Sequence, residues 1–186
     1  MLVFSTSFYV HFPAPNAKEL IDTIDLYNKQ HIDNSKFSWG NLCDVDRIPL
    51  KKEDFHDLYK PSMEIAFKEF GRKFEYAMAD PWINLYKRGQ HQELHDHVGY
   101  DLSSVFFRHD GTGVNKDDMG NFYFRDRNNS QLTQPMQKLA GYGAYFSPKI
   151  SQGDIIFFPS HILHAVTPNK SDKTRVSMAT NFNIRL

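Results

Sequence analysis

The sequence predicts a mainly β protein, an antiparallel sandwich or jelly roll, with helices supporting it on the N-terminal side. Three observations predict this class. From Pro81 onward, apolar residues recur with a period of two in about eight short runs. Gly, Pro, Asn and Asp separate those runs, and the spacing leaves no room for the crossover helices that a parallel sheet needs. The chain carries 16 Phe, 9 Tyr and 2 Trp, or 15% aromatic residues, and flat rings pack well on pleated sheets.

The elements follow in order. Residues 2–12 alternate enough for a first strand, which Pro13 and Pro15 end. Asn16 is placed to cap a helix over 17–29, with Leu20, Ile21, Ile24 and Tyr27 on one face. Residues 31–54 hold turn formers and no clear period. Tyr59-Lys60-Pro61 opens a second helix, since proline suits an early position where its missing N–H costs nothing. Ile65, Phe67, Phe70 and Phe74 supply its apolar stripe, and Gly71 weakens its last turn. The strand runs are 82–87, 92–97, 102–108, 121–125, 142–146, 154–158, 163–167 and 174–183. Between them, residues 109–120 (HDGTGVNKDDMG) are too polar for a strand and are expected to form a mobile loop over one end of the barrel. Their acidic residues lack the ordered spacing and closing Glu of an EF-hand, so a solvated loop is the reading adopted.

Size and charge bound the function. The 186 residues suit one domain, with 1–80 as an N-terminal strand and supporting helices and 81–186 as the jelly-roll core. Lys+Arg and Asp+Glu both number 22, which gives no electrostatic argument for nucleic acid or an anionic membrane. One cysteine, Cys43, excludes an internal disulfide and a cysteine-based zinc site. No apolar run approaches the roughly 18 residues of a membrane span. The N-terminal MLVFSTSFYVHF lacks a basic region and a small-residue cleavage site. The expected location is a reducing cytoplasm.

Three clusters could carry chemistry. In a strand, residues two apart share a face, so His95 and His97 would point together into the barrel mouth while Asp96 points away. Such a pair is half of a metal site, although His-x-His is more often surface decoration. His164 opens an apolar stretch after the turn Pro159-Ser160. Alone it would be a satisfied core histidine; a jelly roll could bring it beside His95 and His97. His161 lies next to the turn and is expected to be exposed. On the last strand, Arg175 and Ser177 share an inward face. An inward arginine is costly unless it meets an anion. That anion is either a neighbouring carboxylate in a structural pair or a ligand carboxylate held bidentately, with the Ser177 hydroxyl as second donor.

Together these residues resemble the Fe(II)- and 2-oxoglutarate-dependent dioxygenases, in particular the prolyl-hydroxylase-like branch and the small 2-oxoglutarate oxygenases of bacteria and phages. Trp82 to Gln90 followed by His95-x-His97 is similar to the family's Tyr-x-x-Gly-Gln…His-x-(Asp or His) run, and 102–107 resembles the strand after it. Gly153-Asp154…Phe158-Pro159-Ser160…His164-x-Val166-x-Pro168…Arg175-x-Ser177…Asn181 resembles the distal-histidine and arginine strands. The resemblance covers roughly 81–183 and implies a double-stranded β-helix, cupin-like in class. It also implies Fe(II) on His95, His97 and His164, and 2-oxoglutarate as cosubstrate, with ascorbate as an optional addition. Arg175 and Ser177 would receive the far carboxylate, with Tyr86 and Asn84 as further donors. The implied reaction hydroxylates an unidentified small-molecule or peptide substrate, peptidyl proline included, and releases succinate and CO2. One departure stands out: most of the superfamily uses two histidines and a carboxylate, whereas His97 occupies the carboxylate position. Asp96 competes for it if the strand bulges there. Two rivals remain open: a cupin-like metalloenzyme that does not use 2-oxoglutarate, and a jelly-roll binding module with incidental histidines.

Overall fold

The computed structural model describes residues 9–30, 45–108, 120–126, 135 and 145–185. Among these the order is β1 (Val10–Pro13), α1 (Ala17–Gln30), β2 (Asp46–Pro49), α2 (Lys52–Glu69), β3 (Glu75–Met78), β4 (Trp82–Tyr86) and β5 (Gln92–His95). Then come β6 (Leu102–Phe107), β7 (Phe122–Arg125), β8 (Tyr145–Phe146), β9 (Asp154–Pro159), β10 (Leu163–Val166) and β11 (Arg175–Arg185). The larger sheet runs β1-β9-β6-β11-β4-β2, with β3 paired to the far end of β11; the smaller runs β5-β10-β7-β8. Every pairing is antiparallel. This is the expected mainly β jelly roll with two supporting helices. The polar segment 109–119 and the start of the 142–146 run lie outside the described residues, as does Cys43.

The larger sheet divides the protein into two layers. β11 shows how. Its Val176, Met178 and Phe182 join one apolar cluster with Leu20 and Ile24 of α1 and Phe55, Tyr59 and Met63 of α2. Its Arg175, Ser177 and Ala179 face the other way, toward the smaller sheet, and line a cavity there. The period of two thus sends greasy residues to the helices and polar ones into the space between the sheets. Aromatic rings seal that second layer: Phe107, Phe122, Phe124 and Phe158 are all buried in it.

The helices depart from expectation in two ways. Asn16 does not cap α1 with its side chain; its amide N–H donates to the Leu58 carbonyl at 2.9 Å and ties α1 to α2. α2 begins at Lys52, so Pro61 lies inside it and Tyr59-Lys60-Pro61 does not open it. A proline inside a helix removes one hydrogen bond and crowds the carbonyl four residues earlier. That residue is Asp57, on the exposed face, where water can serve its carbonyl. The buried stripe is Phe55, Tyr59, Met63, Ala66 and Phe67, while Ile65 is only partly covered. Sequence pattern also missed β2 and β3, each of four residues, because so few apolar positions cannot display a period.

Candidate metal centre

His95 ends β5 and His164 lies in β10, and the antiparallel register sets them directly opposite each other. Their ring centroids are 4.2 Å apart. His97 sits past the end of β5, so strand alternation is not what aims it. Its backbone N–H instead donates to the Ser160 carbonyl at 2.9 Å, which hangs it from the turn between β9 and β10. Its ring lies 5.1 Å from that of His95 and 5.0 Å from that of His164. One ligand nitrogen from each of the three falls within 4.8 Å of the others. Asp96 is not part of this group, and His161 is exposed.

The hydrogen bonds of two rings fix their tautomers. His95 Nδ1 lies 2.7 Å from the Glu93 carbonyl, and His164 Nδ1 lies 2.9 Å from the Ile162 carbonyl. A carbonyl only accepts, so each Nδ1 carries the proton and each Nε2 presents a lone pair. The Nε2 of His97 is buried and has no hydrogen-bond partner. Trp82 stacks on the His97 ring at 5.8 Å and 18°. Burial lowers all three pKa values: His95 falls below its ordinary 6.5, His97 to about 4 and His164 well below 6.5, helped for the last two by neighbouring imidazoles. At neutral pH the centre is three uncharged rings with lone pairs close together.

Arg175 lies in the same cavity and is 1% exposed. Its guanidinium carbon sits 5.5 Å from the Tyr86 ring centre and 6.0 Å from that of Phe107. Its Nη1 is buried without a hydrogen-bond partner. Burial lowers its pKa, yet a guanidinium starts high enough to stay charged. Arg175 pairs across the strands with Tyr86, and Ser177 with Asn84. Cross-strand partners share a face, so these four side chains form one block. Asn84 Oδ1 accepts a hydrogen bond from Trp82 Nε1 at 3.1 Å. All four are buried and line the cavity.

Sequence reasoning missed Arg47, Gln92 and Trp82 as cavity residues. Arg47 pairs with Asn84 across β2 and β4 and so joins the same row. Its Nη2 donates to Gln92 Oε1 of the smaller sheet at 2.8 Å, and its guanidinium lies over Trp82 at 5.7 Å. Arg47 was illegible because β2 was. Trp82 and Gln92 lay in strands that were anticipated, at inward positions that the period of two could have flagged.

Comparison with known proteins adds the family. A family model described as "Putative 2OG-Fe(II) oxygenase" matches residues 80–181, more than half of the 186-residue chain. The chain belongs to this family of 2OG-Fe(II) oxygenases. It is accordingly an oxidoreductase that uses Fe(II) and 2-oxoglutarate. No curated protein matches the sequence. Similar solved structures include a Pseudomonas putida prolyl-4-hydroxylase, 12% identical with a TM-score of 0.62, over 97% of this chain and 95% of that one. Another is the viral collagen prolyl hydroxylase of Paramecium Bursaria Chlorella virus-1 in its 2OG complex, 14% identical with a TM-score of 0.63, over 94% and 95%. A third is HygX from Streptomyces hygroscopicus with nickel, 2-oxoglutarate and hygromycin B bound, 8% identical with a TM-score of 0.65, over 96% and 83%. At such identities the likeness is one of fold.

Proposed function

We propose that His95, His97 and His164 hold the Fe(II), that Arg175 receives the far carboxylate of 2-oxoglutarate, and that the enzyme hydroxylates a C–H bond of its substrate. The observation that carries this reading is the convergence of three neutral imidazoles in the cavity that also holds a buried guanidinium. The donor set fits the metal. Imidazole nitrogen suits iron, the rings need lose no proton to bind it, and the orphaned Nε2 of His97 lacks any other partner. The orphaned Nη1 of Arg175 fits a carboxylate in the same way. Bound together, Fe(II) and 2-oxoglutarate supply the oxidising power, with one atom of O2 leaving in succinate beside CO2 and the other entering the product.

The rest of the work falls to the chain. Arg175 anchors the cosubstrate by charge-assisted hydrogen bonds, and the Ser177 hydroxyl, Tyr86 and the Asn84 amide add donors around it. Phe107, Phe122 and Phe158 wall the cavity with apolar rings, which exclude water and strengthen each of those contacts. With three neutral ligands in place of two histidines and a carboxylate, the iron keeps one more unit of positive charge than in the usual triad.

Peptidyl proline is the first substrate to test, because this chain spans 95% of two structurally similar prolyl hydroxylases. The assay incubates Fe(II)-loaded protein with 2-oxoglutarate and O2, adding proline-containing peptides or free amino acids. The reading expects succinate in step with a product that has gained one oxygen atom. Succinate no higher than in an iron-free control contradicts it. Turnover indifferent to 2-oxoglutarate contradicts it as well.

A further inference from the structure

Trp82 opens β4 on the cavity side, where three neighbours fix its ring. Its cross-strand partner on β11 is Ala179, whose small side chain leaves room for an indole. The Arg47 guanidinium lies over it, 5.7 Å from the ring centre. Its Nε1 donates to Asn84 Oδ1 at 3.1 Å. An indole held in this way is a rigid wall, and the His97 imidazole lies against it, 5.8 Å between centres and 18° from parallel. That spacing is within the range of stacked rings. Among the described residues, the other rings near His97 are those of His95 and His164, which are fellow ligands in the proposed site. The backbone bond from His97 to the Ser160 carbonyl fixes where the residue sits and leaves its side-chain torsions to packing. The indole N–H acts on a different residue. It can only donate, so the Asn84 atom it meets is the amide oxygen, and the NH2 is the end left to face a ligand. Asn84 is 6% exposed and lines the cavity beside Ser177, its partner on β11. A reversed amide would instead offer its oxygen to an incoming carboxylate, which repels it.

We propose that Trp82 is a positioning residue for both halves of the site: its ring face sets the plane of His97 toward the metal, and its N–H turns the Asn84 amide so that the NH2 meets the cosubstrate carboxylate. The proposal rests on the reading of His97 as an iron ligand and of Asn84 as a cosubstrate donor. His95 and His164 are steadied by backbone carbonyls two residues earlier. His97, lying beyond β5, takes its steadying surface from a side chain of the larger sheet. One tryptophan thereby ties the metal ligands to the cosubstrate row, and outer contacts of this kind set how well a ligand is aimed.

The two roles use different parts of the indole, so two substitutions separate them. In the metal-free parent, NMR should show a nuclear Overhauser effect between the Trp82 indole and His97 ring protons. Co(II) titration followed by visible absorption should find affinity lowered about 2–10-fold in Trp82→Leu, the usual worth of a ring stack. Trp82→Phe, which keeps an aromatic face, should restore it. 2-Oxoglutarate titrated calorimetrically into Co(II)-saturated protein should bind Trp82→Phe about 2–10-fold more weakly than the parent, because the N–H is gone. In an Asn84→Ala background the same change should cost nothing further, since the N–H acts through Asn84. If Trp82→Leu does not fold, the Overhauser effect carries the His97 half of the test. An absent Overhauser effect overturns the proposal, as does parental Co(II) affinity in Trp82→Leu or its loss in Trp82→Phe. So does parental 2-oxoglutarate affinity in Trp82→Phe, or a loss repeated in full without Asn84. A parent that binds no Co(II), or no 2-oxoglutarate once loaded, overturns the reading of the site itself, a result distinct from a normal parent with unaffected variants.

Discussion

A guanidinium that is 1% exposed is a heavy electrostatic cost, and in the proposed reaction one dicarboxylate repays it. Truncating Arg175 to Ala should raise the KM for 2-oxoglutarate about 10–150-fold, the equivalent of the roughly 1.5–3 kcal/mol of a charge-assisted pair. Steady-state kinetics against cosubstrate concentration check it, and an unchanged KM would make Arg175 structural. Arg175→Lys should fall between the two, since an ammonium keeps the charge but not the two-pronged geometry. At this scale much of the site was readable. His95, His97, His164, Arg175 and Ser177 carry chemistry that is rare at inward positions, so their types and spacing flagged them. Arg47 was not assigned a role, for a physical reason. What matters about it is a partner 45 residues away, Gln92, and only folding brings the two together.

Elements were legible where burial on one face imposes a period. β4, β6, β9, β10 and β11 lie where alternation set them. The start of α2 was not legible, because Pro61 reads as a helix opening although it lies inside the helix, and the buried face that begins at Phe55 is interrupted by the polar Ser62. Packing overrode the local signal of Pro61. Phe55 is fully buried between α2 and the outer face of the larger sheet, far from the chemistry. Replacing it with Ala should cost about 3–5 kcal/mol of stability by urea denaturation, while leaving iron stoichiometry unchanged. A loss below about 1 kcal/mol, or a loss of iron with the fold intact, would show that the two layers are not the separate units described here. β5 ends two residues before His97, so its pairing with β10 fixes two of the rings and the Ser160 turn fixes the third.

For the whole molecule, the three histidines make stability depend on pH. Above 6.5, the ordinary histidine value, they are neutral both folded and unfolded and contribute no pH dependence. As pH falls below that value, the unfolded chain takes up protons that the buried rings resist. The metal-free protein should therefore lose stability progressively from about pH 6.5 toward the value of about 4 at which His97 titrates. Urea midpoints across that range check the slope, and His164→Gln should flatten it; a midpoint indifferent to pH would mean that the rings are solvated. Among the described residues no helix is long and apolar enough to cross a membrane. Architecture, family and cosubstrate agree with the sequence reading because alternating strands and an ordered set of polar motifs survive in one dimension. The substrate does not, because it is read by cavity shape.

The most direct test counts iron. Purified chain is loaded with Fe(II) without oxygen, freed of excess metal and analysed for iron per chain, beside His95→Ala, His97→Ala and His164→Ala proteins whose folding is verified by circular dichroism. One iron per parent chain, falling to background in each folded variant, is the predicted result. Full occupancy in any of the three would remove that histidine from the centre, and a parent without bound iron would contradict the account as a whole.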